Sequence, residues 1–156
     1  MFDSPADAWY VWIGLSLLGA ALVGIVTQLP DAPPPDAAGP ANTIDAVAGG
    51  RHAGTGTYPL SADAVRIEPH RIGVRTDDEA AFETLAYGPV TPVREGTLLW
   101  EVLQGARPDH VFESPEGFAR AIERAGERER TWRSAPDALD VRTVSWNDAE
   151  ATLVGA

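Results

Sequence analysis

A chain of 156 residues with 23 acidic residues, 12 basic ones and no cysteine has room for one modest domain beside an anchor, not for two sizeable cores. The missing thiols exclude disulfides, thiolate zinc sites, thiol nucleophiles and a lipidated N-terminal cysteine. The net charge of -11 argues against DNA or RNA as a partner, because phosphate contacts need a positive surface.

Every basic residue is arginine, and lysine is absent. An acidic surface repels itself in dilute buffer, but at molar salt the Debye length falls to about 3 Å and that repulsion is screened. The balance therefore predicts a salt-adapted protein, in preference to a mildly acidic protein of ordinary habitat.

Residues 1–7 form a short tail, and residues 8–29, AWYVWIGLSLLGAALVGIVTQL, are 22 positions without a charge. As a helix they measure about 33 Å at 1.5 Å per residue, the depth of a bilayer core. Trp9, Tyr10 and Trp12 stand at the entry end, where amphipathic rings prefer the headgroups, and Pro30 closes the other end. A secretory signal would want a basic n-region and a shorter apolar core, and a prepilin leader a basic cleavage motif; MFDSPAD offers neither. The reading is a retained single-pass transmembrane helix in the cell membrane. Ser16, Ala20 and Gly24 recur at intervals of four, a small-residue stripe suited to lateral association with another helix, although such residues are common in membrane helices generally. The first arginine is Arg51, so the positive-inside rule is nearly silent on orientation.

Residues 30–57 are rich in Pro, Ala, Gly and Asp and show no sustained apolar period. They read as a linker, extended at Pro33, Pro34 and Pro35 and flexible at Gly49, Gly50, Gly54 and Gly56, with at most a helical turn at 43–48. From residue 58 to 156 the pattern becomes globular. Strands are predicted at 65–68 and 71–75, at 81–87, and at 90–93 as a proline-broken edge. Thr97 caps a helix carrying Leu98, Leu99, Val102 and Leu103 that ends at Gly105. Ser114, Pro115 and Glu116 open a second helix running to about residue 130. Residues 139–146 and 149–154 form a hairpin across Asn147 and Asp148. The fold class is α+β, a small domain with an antiparallel sheet and about two helices.

The enzyme signatures fail on specific residues. The glycines at 49–56 are followed by no GK[ST], and no lysine exists to reach a phosphate. His110 and Glu113 would share a face only if helical, whereas Pro108 and Pro115 predict extended chain, so no metal site is assigned. No G-x-S-x-G elbow is present, and Asp77, Asp78 and Glu79 read as a turn. No catalytic residue or cofactor is expected. An enzyme would need His70 or His110 in a cleft beside an acid. Arg120, Arg124 and Arg128 recur at helical spacing, followed by Arg130 and Arg133; the row either docks an acidic partner or lipid headgroups, or pairs with Glu116, Glu123 and Glu127 one turn away. Trp132 and Trp146 read as core aromatics before interface ones.

The segments FDSPADAWYVWIGLSLLG, LPDAPPPDAAG, YPLSADAVRIEPHRIGVR, YGPVTP, VFESPEGFARAI and VSWNDAEATLVG resemble a haloarchaeal family of uncharacterised proteins with one N-terminal transmembrane helix. The family brings no catalytic residues. The resemblance implies an envelope component with its soluble domain outside the cell, a companion of type IV pilus-like assembly genes. Together, residues and resemblance lead to a non-enzymatic, membrane-anchored protein with protein partners in the envelope. The alternative is a membrane-tethered domain that binds or senses a small ligand.

Overall fold

The computed structural model describes residues 35–50, 53–77 and 79–156, with Ile13 alone from the preceding region. The transmembrane helix expected at 8–29, its stripe Ser16, Ala20 and Gly24, and the linker before residue 35 lie outside the described residues, Ile13 excepted. Among the described residues no helix is long and apolar enough to cross a membrane. The chain divides into two compact units at Pro33 and Pro34, and the second, Pro34–Ala156, is the one described below.

Its elements are α1 (Ala38–Ala48), β1 (Thr55–Pro59), β2 (Ala64–Glu68), β3 (Arg71–Thr76), β4 (Glu79–Thr84), β5 (Thr91–Val93), α2 (Leu98–Leu103), α3 (Pro108–Val111), α4 (Pro115–Glu127), β6 (Arg133–Ser134), β7 (Ala138–Trp146) and β8 (Ala149–Gly155). They build two four-stranded sheets, ordered β1-β7-β8-β5 and β4-β3-β2-β6. All pairings are antiparallel except β5 with β8, which is parallel. The α+β class holds, with two sheets where one was expected and the first of them mixed.

The hairpin β7-β8 is the centre, and period-two alternation explains why. Leu139 and Val141 on one face of β7 join Val154 of β8 in a core shared with α1 and with Val65, Ile72 and Val74 of the second sheet. Val144 on the other face joins Ala151 and Leu153 in a second core closed by Leu99, Val102, Phe112 and Phe118. The first sheet is thus covered on both sides, by α1 and the second sheet on one and by α2, α3 and α4 on the other. Strands buried on both faces read as near-continuous apolar runs, which ATLVG in β8 does. Asn147 turns the hairpin with φ of 53°, a left-handed conformation that Asn tolerates.

The stretch 30–57, read as a linker, is corrected over most of its described part. Ala38–Ala48 is a helix whose Pro40, Ala41, Ile44 and Val47 are buried. Asp36 supplies its start, Oδ1 accepting from the Ala38 and Gly39 amides at 3.0 and 3.2 Å. Pro40 is tolerated because its missing N–H falls among the four orphan donors of the first turn. The apolar stripe is built from Pro40, Ala41, Ile44 and Val47 within a stretch rich in Ala, Gly, Pro and Asp, so spacer-like composition hides a helical period. Residues 55–57 likewise belong to β1, paired with β7.

The capped helices stand as read. Thr97 accepts from the Trp100 amide at 3.3 Å and Ser114 from the Gly117 amide at 3.2 Å. The second of them ends at Glu127, three residues short of the expectation, with Arg128 extended at φ -63° and ψ 149°. The extended chain predicted around His110 is instead one helical turn, because Pro108 at its first position is compatible with a helix start.

Candidate functional site

Strand β3 positions the site by its pleat. Ile72 and Val74 are buried in the core, so Arg71, Gly73 and Arg75 take the opposite face. Register brings Glu68 and Arg66 of β2 opposite Arg71 and Gly73. From the other side, Thr84 and Phe82 of β4 lie opposite the same two residues. Trp132, just before β6, lies against Phe82 with ring centroids 5.5 Å apart and planes at 58°.

The glycine between the two arginines is what lets the rings approach the sheet backbone closely. A Cβ at Gly73 would stand 2.6 Å from Phe82 Cε1 and 3.0 Å from Trp132 Cη2. Over these rings the Arg71 guanidinium carbon sits 4.9 Å from the Phe82 centroid, and that of Arg75 sits 5.1 Å from the Trp132 centroid. Both distances are within cation–π range. The result is an unbroken row of Arg71, Phe82, Trp132 and Arg75, in which Phe82 remains 44% exposed.

Among the described residues, one acid pairs with the arginines of this face. Glu68 Oε2 accepts from Arg71 Nε at 2.7 Å and Oε1 from Arg71 Nη2 at 3.2 Å, and Arg66 Nε lies 2.7 Å from Oε1. The hydrogen bond from Arg71 holds the Glu68 carboxyl below the usual range against the opposing effect of burial, and the charges of Arg66, Arg71 and Arg130 add to it. Among the described residues, no carboxylate is within ion-pair distance of Arg75. Arg66 and Arg71 therefore share a single carboxylate, on which the charge of Arg130 also acts, on a chain whose net charge is -11.

Behind the same strands, Arg94, Arg128, Arg130 and Arg133 rim a cleft of about 40 Å³ floored by Val65 and Val93. Two larger, open depressions of about 290 and 280 Å³ lie beside Arg107 and Asp109 and beside Glu116 and Asn147. Arg107 donates to both oxygens of Asp109, at 3.0 and 2.6 Å, and holds its carboxyl below the usual range.

The row Arg120, Arg124 and Arg128 is not brought together as spaced. Arg120 and Arg124 are exposed on α4, with Arg124 Nε donating to the Arg120 carbonyl at 3.1 Å. The helix ends before Arg128, which turns to the cleft instead. The pairing of this row with Glu116, Glu123 and Glu127 is also absent among the described residues, whose ion pairs are Arg66 and Arg71 with Glu68 and Arg107 with Asp109. Trp146 packs on the second core at 6.4 Å from Phe118, whereas Trp132 lies on the sheet face. His70 and His110 are exposed, and His52 lies outside the described residues. No group of three or more potential metal ligands occurs among the described residues. Sequence reasoning missed Phe82 and the arginines of β2 and β3. The signal was present in RIEPHRIGVR, where Arg66, Arg71 and Arg75 fall at alternate positions on one face.

Fold and surface together define a small α+β domain that presents a guanidinium and aromatic sheet face. The chain belongs to the family described as "Family of unknown function (DUF7283)", whose pattern matches residues 3–144. No curated protein and no solved structure matches the chain.

Proposed function

We propose that this protein is a non-enzymatic, single-pass, membrane-anchored component of a haloarchaeal cell envelope, acting through protein contacts outside the cell as an accessory to a type IV pilus-like assembly. The observation that carries the contact role is the face of Arg71, Phe82, Trp132 and Arg75, a basic and aromatic surface on an otherwise acidic domain. Exposed aromatics beside arginines are the residue types that dominate protein interfaces. The anchor rests on the 22 uncharged positions at 8–29, and the salt habitat on a charged surface built without lysine.

The small-ligand alternative draws less support. A ligand site of ordinary kind encloses about 300 to 1,000 Å³, whereas the arginine-rimmed cleft holds about 40 Å³ and the larger depressions are open.

Two measurements on intact cells and membranes test the proposal. The chain is expected to sediment with membranes after a high-salt wash, and external protease is expected to remove the domain. Detergent extracts in high salt are expected to co-purify pilus-type proteins. Recovery in the soluble fraction, full protection from external protease, or purification of the chain alone would each count against it.

A further inference from the structure

We infer that the outer face of the sheet β4-β3-β2-β6 is a docking site for an extended acidic polypeptide carrying two carboxylates four residues apart, with an apolar side chain between them. The inference rests on the contact role proposed above and names the chemistry of the partner.

Charge complementarity sets the sign. Arg66 and Arg71 share one counter-carboxylate, Glu68, and no carboxylate among the described residues is within ion-pair distance of Arg75. Arg71 commits two of its five donors to Glu68, which leaves the rest of its fork available. A guanidinium presents paired donors that match a carboxylate in a bidentate way, and each here is already oriented by the ring beneath it, so little side-chain freedom is lost on binding.

Geometry sets the spacing. Arg71 and Arg75 are four residues apart on one face of β3, about 13 Å at 3.3 Å per residue. A peptide in extended conformation repeats that distance between its own positions i and i+4 and turns position i+2 to the same side. That middle side chain would meet Phe82 and Trp132, which lie between the two guanidiniums on the bare backbone of Gly73.

A single-stranded nucleic acid would also find stacking rings and cations here. It fits less well, because its phosphates continue past the patch onto a domain whose remaining surface is acidic. A short acidic segment asks for positive charge only where the face supplies it.

The test uses the full-length chain in detergent micelles and fluorescence anisotropy of end-blocked, labelled peptides. The probes are Glu-Ala-Leu-Ala-Glu, its Gln-Ala-Leu-Ala-Gln counterpart, the shortened Glu-Leu-Glu, and an oligothymidylate. The first peptide is expected to bind best, with affinity reduced about tenfold by Arg75→Gln and by Phe82→Ala, the size of one lost charged hydrogen bond or stacking contact. Arg75→Lys, which keeps the charge and loses the planar fork, is expected to fall between. An unchanged melting temperature shows that each variant has folded, and Arg66→Gln serves as a second reading of the face should one of them not fold. The inference is overturned if no peptide binds, if the Gln or shortened peptide binds as well as the first, if the oligothymidylate binds more tightly, or if the only effect of Arg75→Gln is to split a dimer of the chain. Membrane fractionation of the same variants is expected to be unchanged, so failure of the docking inference and failure of the anchored envelope reading are told apart.

Discussion

The hydroxyl of Thr143 donates to the carbonyl of Val47 at 3.3 Å, joining the central strand β7 to the end of helix α1 across 96 residues of sequence. Thr152 lies beside it with hydroxyl oxygens 3.1 Å apart, and both threonines are buried. Burial makes these bonds costly to lose: without Thr143 the Val47 carbonyl keeps the Gly50 amide at 3.3 Å, but the Thr152 hydroxyl loses its partner inside the protein and keeps its desolvation penalty. Thr143→Val is expected to cost about 1–3 kcal/mol in urea denaturation. Replacing both threonines by Val should cost less than the sum of the single changes, because the two hydroxyls no longer leave each other unpaired. A neutral single variant would remove the role assigned to this bond.

Helix α1 carries the same lesson in its apolar stripe. Ile44 is fully buried in the core although it stands between the polar Thr43 and Asp45. Ile44→Ala is expected to destabilise the domain by about 2–5 kcal/mol. Asn42→Ala, on the exposed side of the helix, is expected to change stability by less than about 0.5 kcal/mol. Equal effects from the two would mean that the helix does not belong to the core.

Arg142 works inside the other half of the domain. Its Nη1 donates to the carbonyls of Val102 and of Ala106, the latter at 3.0 Å, and so holds the end of α2 against β7. The last carbonyls of a helix lack the amide four residues on, and a guanidinium is a strong added partner. Arg142→Met keeps the aliphatic stem and removes the donors, at an expected cost of about 1.5–3 kcal/mol. Hydrogen exchange should accelerate first at the amides of Gln104 and Gly105, which close the helix by bonding back to Trp100 and Val102.

Acid sensitivity follows from Glu68. Its folded-state affinity for a proton is below the unfolded value because Arg71, then Arg66 and Arg130, favour the charged form. A depressed carboxyl contributes stability that is present above the unfolded glutamate value, about 4.3, and is lost as pH falls through the lower folded one. Urea midpoints measured downward from about pH 5 should therefore decline more steeply for the native chain than for Glu68→Gln. Parallel declines would show that the pair contributes nothing across that window.

The legible parts of this fold are those whose signal is local. Thr97 and Ser114 announce helix starts because capping is decided within three residues of the cap. Asn147 and Asp148 announce the β7-β8 hairpin because a two-residue loop constrains its own dihedral angles, and the alternation in β2 and β3 follows from the pleat. The candidate face was half legible: the arginines at 66, 71 and 75 are visible as one face of two strands, but Phe82 and Trp132 come from elsewhere in the chain.

The amino-acid sequence by itself determined the α+β class, the capped helices, the central hairpin and the acidic, lysine-free charge balance, all properties of composition or of neighbours within a few residues. Only the tertiary structure decided that 38–48 is core and not spacer, since Pro40, Ala41, Ile44 and Val47 earn a place in the interior only when β7 and the second sheet close over them. It also decided that Arg71, Phe82, Trp132 and Arg75 form one row. Segments some 50 residues apart in sequence meet there through the pairing of β2 with β6, and long-range pairing leaves no mark on local pattern.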